Sequence, residues 1–159
     1  MDNVQTGVFV EVKKQDTENL PRAKFLHTLF QELVPLQLPI GSYIIAGSGP
    51  LAIRNMREAA DVDILVDEPL WASLQLLHTV SGDRRNRIAL GTIEIRKDWM
   101  ILTDKIEEMI AHHDMIDGFP FMKLSYVIDT KKYLGRPKDL EDMAMINSYL
   151  EKRDIERLL

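Results

Sequence analysis

The chain has 159 residues, of which 45% are hydrophobic and 28% are charged, and this composition predicts one soluble domain with a buried core. It contains no cysteine and carries a net charge of −5 at pH 7, which excludes disulfides and thiolate metal sites and argues against a long nucleic-acid interface. No apolar run approaches the roughly 20 residues of a membrane helix and no signal-peptide core opens the chain, so we expect no membrane partner and a cytoplasmic location.

The first 40 residues are expected to form a strand and a helix. Apolar residues alternate with other residues in Val8–Val12, as they do in a β-strand. From Pro21 to Val34 the apolar residues recur with the 3.6-residue period of a helix. Because proline lacks the N–H that continues a helix, we expect this helix to end before Pro35.

Strands and helices alternate between residues 41 and 100. Apolar and β-branched runs bounded by turn residues predict strands, and prolines that precede apolar periodicity predict helix starts. The predicted strands are Ser42–Ala46, Ala60–Val66, Arg87–Leu90 and Thr92–Arg96, and the predicted helices are Pro50–Met56 and Pro69–Val80.

The last third of the chain is helical in pattern. Thr103 is expected to cap a helix that ends at His112 or His113, and Gly118 and Pro120 predict a break after it. Helices are then predicted over Phe121–Leu134 and Pro137–Leu150. We therefore expect a single α/β (α+β) domain over residues 1–159, with a strand and helix in 1–40, a catalytic-type core in 41–100 and helices in 101–159.

Two carboxylates, Asp61 and Asp63, lie one residue apart in the second predicted strand. Alternate side chains of a strand share a face, so these two would lie about 6.5–7 Å apart. A hard divalent ion such as Mg²⁺, which prefers oxygen ligands, would relieve their repulsion. The alternative is that one carboxylate caps a turn and the other is solvated at a strand edge.

A turn at Gly47, Ser48 and Gly49 precedes this pair. It offers backbone N–H groups and a hydroxyl at the start of a predicted helix, where a phosphate is favoured. Pro50 removes one of the backbone donors. A phosphate-binding turn and a carboxylate pair joined by one short helix form an arrangement that nucleotide chemistry requires.

The pattern of Gly47-Ser48 followed by Asp61-x-Asp63 resembles the signature of the nucleotidyltransferase superfamily. The resemblance implies a small mixed sheet flanked by helices, with a C-terminal helical segment. It also implies that the two acids hold Mg²⁺, or alternatively Mn²⁺, together with a third carboxylate on a later strand, for which Glu94 is the candidate. Alternation along its strand alone would make Glu94 an exposed residue.

A second run, Lys-x-x-x-Gly-Arg-Pro-Lys-Asp-Leu-x-Asp at residues 131–142, resembles the C-terminal helical motif of bacterial nucleotidyltransferase-like proteins grouped with the AbiEii toxins. This resemblance implies that Lys131, Lys138 and Asp139 help to bind the nucleotide. Ordinary residue preferences at helix ends account for most of the same residue types, because Gly135 suits a helix C-terminus and Pro137 suits the first turn of the next helix.

Other candidates have weaker support. The basic turn at 84–87 is expected to be solvated, with contact to an acidic acceptor such as RNA as the alternative. His112 and His113 have no partner at metal-ligand spacing and are expected to be structural or solvated. Trp71 and Trp99 are expected to pack in the core or at its edge.

The sequence therefore predicts a Mg²⁺-dependent nucleotidyltransferase, with Asp61, Asp63 and Glu94 as catalytic acids and metal ligands and with Gly47 and Ser48 on the phosphates. Its substrates would be a nucleoside triphosphate (NTP) and a hydroxyl of a tRNA, a protein or a small molecule. The alternative is an inactive nucleotidyltransferase-like module that binds a nucleotide or a partner protein. The resemblance also suggests a toxin or antitoxin role, with an antitoxin protein as a partner.

Overall fold

The computed structural model describes residues 20–82 and 86–158. They form a six-stranded mixed sheet with helices on both faces, which confirms the predicted α/β class. The predicted strand at Val8–Val12, together with Arg84 and Arg85 of the basic turn, lies outside the described residues. No helix within these ranges is long and apolar enough to cross a membrane.

The strands and helices follow one another in short segments. The strands are β1 Tyr43–Ala46, β2 Val62–Val66, β3 Ile88–Leu90, β4 Ile93–Arg96, β5 Asp114–Ile116 and β6 Phe119–Phe121. The α-helices are α1 Leu20–Thr28, α2 Gly49–Ala52, α3 Glu68–Leu77, α4 Ile106–Ala111, α5 Leu124–Leu134 and α6 Pro137–Leu158. A π-helical turn, Leu29–Leu33, and two 3₁₀ segments, Val34–Leu36 and Met100–Lys105, complete the helical structure.

The sheet order β3-β4-β2-β1-β6-β5 brings the ends of several strands to the same edge of the sheet. β1 runs antiparallel to β2, so Ala46 at the end of β1 pairs with Asp63 near the start of β2. β2 runs parallel to β4, and there Asp63 pairs with Glu94. β6 runs parallel to β1 and therefore ends at the same edge. The chain then leaves this edge into α5.

The two faces of the sheet carry two separate hydrophobic clusters, because successive strand residues point to opposite faces. Ile45, Ile64 and Ile95 face the first cluster, which is closed by α1, the π-helical turn and α3. Ile44 and Leu65 face the second cluster, which is closed by α4, α5 and α6. Both faces of the sheet are thus covered by helices.

The helical structure of the N-terminal segment continues through Pro35, whereas the proline rule predicts that it ends before this residue. The chain continues as a π-helical turn and then as a 3₁₀ segment that includes Pro35 within its first two positions, where a missing N–H costs no hydrogen bond. It ends at Gln37, whose φ of 53° is left-handed.

The predicted N-cap at Thr103 is wrong. Its hydroxyl accepts a hydrogen bond from the Trp99 N–H (2.8 Å) and donates one to the Met100 carbonyl (2.9 Å). This closes a 3₁₀ segment, and α4 begins only at Ile106. The apolar side chains predicted to face inward from α4, which include Met109, are buried.

Residues 114–121 form a β-hairpin where a break and a helix start are predicted. Asp117 and Gly118 join its strands, and both have positive φ, which suits a two-residue hairpin turn. Phe121 therefore belongs to β6, and α5 begins at Leu124. Strands of three residues are too short to show a period in the sequence.

The last helix extends to Leu158. The helical period predicts that its apolar residues, which include Leu140 and Ile146, face inward. Leu140 is exposed, whereas Asp139 and Asp142 are buried together with Ile146. The inward face of α3 also differs from the one that apolar spacing predicts, because Leu77 is exposed. The polar residues of α6 can face inward because cations of other elements meet them there.

Candidate functional site

A cleft lies at the sheet edge where β1 ends and where β2 and β4 begin. We call its larger part, of about 680 Å³, the acidic lobe, because Asp61, Asp63 and Glu94 line it. We call the adjoining part, of about 170 Å³, the basic lobe, because Arg57 and Lys131 line it. The lobes form one continuous cleft, because they share six lining residues: Asp63, Trp99, Met100, Leu134, Arg136 and Lys138.

The two predicted metal ligands differ in their settings. Asp63 lies inside β2 and is half-buried, whereas Asp61 precedes the strand and is exposed. The prediction that both lie in the strand is therefore wrong, although both side chains reach the acidic lobe. Asp63 is the fixed member of the pair, because ladder hydrogen bonds hold its backbone on both sides.

Gly47 lies directly against the Asp63 side chain. Its φ is +63°, and a Cβ built on it would stand 2.2 Å from Oδ2 of Asp63. Only glycine permits this close approach. Ser48 follows at the start of α2, and its side chain makes no capping hydrogen bond within the described part of the chain. Gly47 and Ser48 thus line the basic lobe beside Asp63.

Gly47→Ala is expected to displace the Asp63 carboxylate and to weaken the nucleotide binding that the sequence resemblance predicts for this cleft about tenfold or more. It should also cost about 1–2 kcal/mol for the left-handed backbone. Gly135→Ala is the matched control, because its φ is +61° but no described heavy atom lies within 3.8 Å of its built Cβ. Calorimetric titration with NTPs and thermal unfolding would test this, and equal binding losses in the two variants would contradict it.

The electrostatic setting of Asp63 disfavours its charge. The pKa of Asp63 is raised to about 6, mainly by burial and also by the negative charges of Glu94 and Asp61, while the positive charge of Arg96 opposes the rise. A cation bound beside Asp63 would remove this cost.

Glu94 is already paired. Its Oε2 accepts a hydrogen bond from Nη2 of Arg96 (2.8 Å), and its Oε1 lies 3.3 Å from Nη1 of Arg87. The predicted solvated role of Arg87 is therefore wrong, since its side chain is half-buried against Glu94.

A divalent cation fits this donor set only in part. Asp61 and Asp63 offer hard oxygen ligands in one lobe, and the negative charges of Glu94 and Asp61 act on Asp63 there. The described residues contain no group of three acidic or histidine side chains that could hold a metal ion. The Asp61–Asp63 pair is thus the available metal-binding position, and Glu94 faces arginines.

The basic lobe rests on an ion network in which three cations, Arg57, Lys131 and Arg136, meet two buried carboxylates, Asp139 and Asp142. Nη1 of Arg57 binds both carboxylate oxygens of Asp142 (2.9 and 2.8 Å). Nζ of Lys131 lies 2.9 Å from Asp142 and 3.4 Å from Asp139. Nε of Arg136 donates to Asp139 (2.7 Å), as does its backbone N–H (3.0 Å). Since cations outnumber carboxylates in this network, the lobe keeps positive charge for an anionic ligand.

Asp139 is expected to stabilise the fold rather than to touch a ligand. The Arg136 hydrogen bond is the main reason why the pKa of Asp139 falls to about 2. A lowered pKa stabilises the fold above the unfolded-state pKa of about 4, and that stabilisation is lost as the pH falls from 4 to 2. Asp139→Asn should thus lower the free energy of unfolding by about 2 kcal/mol at pH 7, and by less near pH 3. Urea unfolding at both pH values would test this.

Glu141→Gln is the control for Asp139→Asn, because Glu141 is an exposed acid on the same helix. Its effect on the free energy of unfolding should stay within about 0.5 kcal/mol. A pH-independent difference between Asp139→Asn and the wild type would contradict the assignment.

The structure places most of the predicted site residues around one cleft. Asp61, Asp63, Glu94, Gly47, Ser48, Lys131 and Lys138 all line it. Asp139 does not line it; its side chain is fully buried against Arg136 and Lys131. Outside the cleft, the ring of His113 lies 2.6 Å from the Ile110 carbonyl and His112 is exposed. Trp71 is buried in the core, as predicted.

Sequence reasoning missed several lining residues. Arg96 shares a strand face with Glu94 two positions earlier, which is a usable signal, and Arg136 belongs to the motif at 131–142. Arg57 and Thr130 show no sequence signal. Trp99, predicted to pack, lines both lobes, and its indole N–H is buried without a hydrogen-bond partner in the described residues.

Comparisons with protein-family models, with curated proteins and with solved structures found no match. The function is therefore inferred from the chemistry of the cleft.

Proposed function

We propose that this chain is a Mg²⁺-dependent nucleotidyltransferase that moves a nucleoside monophosphate from an NTP to an acceptor hydroxyl. The observation that carries the proposal is the single cleft with carboxylates in one lobe and lysine and arginine side chains in the other. Transfer from an NTP needs both, because cations hold the triphosphate while carboxylates hold metal and accept a proton. The resemblance of the Gly-Ser and Asp-x-Asp motifs to the superfamily supports the same reaction.

The basic lobe would bind the triphosphate. Lys131 and Lys138 bring ammonium groups to the cleft, and Arg57 and Arg136 bring guanidinium groups suited to phosphate oxygens. Gly47 would let the backbone approach a phosphate closely, and the Ser48 hydroxyl could donate to it. These contacts would orient the α-phosphate toward the acidic lobe.

The acidic lobe would carry the chemistry. Asp61 and Asp63 would hold Mg²⁺ or Mn²⁺, which when bound neutralises charge on the reacting phosphates. The acceptor oxygen would form a bond to the α-phosphorus while the bond to the β-phosphate oxygen breaks and pyrophosphate leaves. Glu94, next to Asp63 in the sheet register, would accept the proton of the attacking hydroxyl.

Incubation with α-labelled ATP, GTP, CTP and UTP would test the proposal. Each reaction would contain Mg²⁺ or Mn²⁺ and one acceptor from a panel of tRNA, purified proteins and small alcohols. We expect label on one acceptor class, with an equal amount of pyrophosphate. A complete absence of transfer across the panel, in a protein that still binds an NTP, would exclude the catalytic proposal in favour of the binding module described next.

A second candidate is a catalytically inactive module that binds a nucleotide or a partner protein. The pairing of Glu94 with Arg87 and Arg96 favours it, because both carboxylate oxygens of Glu94 are already engaged by arginines and leave less room for an acceptor hydroxyl. Calorimetry with the four NTPs, with and without Mg²⁺, would show whether a nucleotide binds. The toxin or antitoxin role rests on the sequence resemblance alone, and expression that arrests growth only with an intact Asp61 would support it.

A further inference from the structure

Arg96 places a fixed cation among the carboxylates of the acidic lobe. It is the last residue of β4 and only 8% exposed. Alternate residues of a strand share a face, so Arg96 lies on the same face as Glu94, and the sheet register sets Glu94 beside Asp63. A guanidinium is charged at every pH that a protein tolerates. Arg96 therefore supplies positive charge where the family resemblance implies metal.

The pairing of Glu94 leaves it little capacity to bind a metal ion. Arg96 holds Oε2 at 2.8 Å, and Arg87 lies 3.3 Å from Oε1. Two divalent ions about 4 Å apart need shared carboxylate ligands. The described residues contain no group of three acidic or histidine ligands that would supply them. With Glu94 engaged, Asp61, Asp63 and Asp98 are the other carboxylates that line the acidic lobe, and they do not form a group of three around one position.

Arg96 also keeps a donor for a ligand. Its Nε is buried and has no hydrogen-bond partner among the described residues. A buried unpaired donor carries a cost on the order of 1–3 kcal/mol, which an acceptor oxygen would remove. Because Arg96 lines the acidic lobe, a phosphate oxygen of a bound nucleotide is an acceptor of suitable charge for its guanidinium.

We propose that Arg96 takes the place of a second divalent ion, so that the site binds one metal ion at Asp61 and Asp63 and contacts the nucleotide phosphate through the guanidinium. This inference rests on the proposed nucleotidyltransferase function and replaces the role of metal ligand that the sequence resemblance implies for Glu94. Glu94 orients Arg96 instead of binding metal. The site then takes a polyphosphate ligand with a single divalent ion.

Counting the bound metal tests the inference independently of activity. The loss of the free Mn²⁺ signal in electron paramagnetic resonance gives the number of ions per chain, with Mn²⁺ as the only probe. We expect one ion for the wild type and one for Glu94→Gln. We expect no ion for Asp63→Asn, and a second, weaker ion for Arg96→Met, in which Glu94 is released. Arg96→Lys keeps the charge and should keep the count of one, which covers the case in which Arg96→Met fails to fold.

Calorimetry with inorganic tripolyphosphate provides the second measurement. The affinity without metal should fall about tenfold in Arg96→Met and less in Arg96→Lys. Two Mn²⁺ ions in the wild type, with one lost in Glu94→Gln, would overturn this inference and leave the nucleotidyltransferase proposal standing. An absence of bound Mn²⁺ in the wild type would overturn both. An unchanged tripolyphosphate affinity in Arg96→Met would show that Arg96 does not contact phosphate.

Discussion

Asp63→Asn is expected to lower nucleotidyl transfer by about 10³-fold, equal to about 4 kcal/mol of transition-state stabilisation, while it makes the protein more stable. The loss follows because Asp63 is a half-buried carboxylate of the acidic lobe and is proposed to hold the metal ion. The gain follows because burial raises the pKa of Asp63 to about 6. Activity and stability should therefore change in opposite directions, as they do at sites where a function is kept at the expense of the fold.

The pH dependence gives the sign of the stability effect. A carboxyl group whose pKa is raised in the folded state destabilises the fold at high pH. Between about pH 4, the pKa in the unfolded state, and about pH 6, the pKa in the folded state, the unfolded chain ionises while the folded chain stays protonated, so the free energy of unfolding falls as the pH rises. At pH 7 the cost in the wild type is about 1–3 kcal/mol, and Asp63→Asn removes it. Near pH 4 both side chains are neutral, so the two proteins should unfold with nearly equal free energy.

Urea unfolding at pH 4 and pH 7, together with initial rates of transfer, measures both effects. Asp129→Asn is the control, since Asp129 is an exposed acid of α5, and it should change neither quantity. A variant that loses activity because it unfolds would show a lowered free energy of unfolding at pH 7, and that result would contradict the assignment of Asp63. Retention of wild-type transfer would contradict it as well.

Lys131→Met is expected to lower the free energy of unfolding by about 3 kcal/mol. The ammonium of Lys131 is nearly buried and lies between Asp139 and Asp142, which are themselves buried. Its removal leaves two carboxylates in a low-dielectric region with only the arginines to offset them. Breaking a buried ion network in this way is costly because the remaining charges lose their partner without regaining water.

Lys132→Met is the matched control, because the neighbouring lysine is exposed on the same helix. It should change the free energy of unfolding by less than about 0.5 kcal/mol. The double variant Lys131→Met, Asp142→Asn should recover part of the loss, because it removes a charge from each side of the pair. Equal unfolding energies for the two single lysine variants would show that Lys131 does not stabilise the fold.

The acidic and basic motifs could be predicted separately, but their mutual arrangement could not. The Gly-Ser turn and the Asp-x-Asp pair are local patterns, and the structure places both at the cleft. The resemblance added Glu94 and Lys138, which line the same cleft. Asp139 had no sequence signal that separated a ligand-binding residue from a buried partner of Arg136, because burial is a property of the packed chain.

The errors in the predicted secondary structure and helix faces also arise because contacts between distant segments leave no local sequence signal. The Asp-Gly turn at 117–118 is a hairpin signal, yet its strands have three residues each and show no period. The inward face of α6 was predicted from apolar residues, and it is polar because Arg57 and Lys131 meet Asp142 there. Arg57 and Asp142 are 85 positions apart, far beyond the reach of helical or strand periodicity.

The sequence by itself determined the α/β class, the central strands and the candidate residues for a metal ion and a phosphate. These depend on side-chain alternation, turn residues and local helix signals, all of which act over a few neighbouring positions. Only the tertiary structure decided that Asp63 lies beside Glu94, that Arg96 neutralises Glu94 and that three cations share two buried aspartates. Strand register, burial and long-range ion pairs are fixed when distant segments pack together, and the charge balance of the cleft depends on all three.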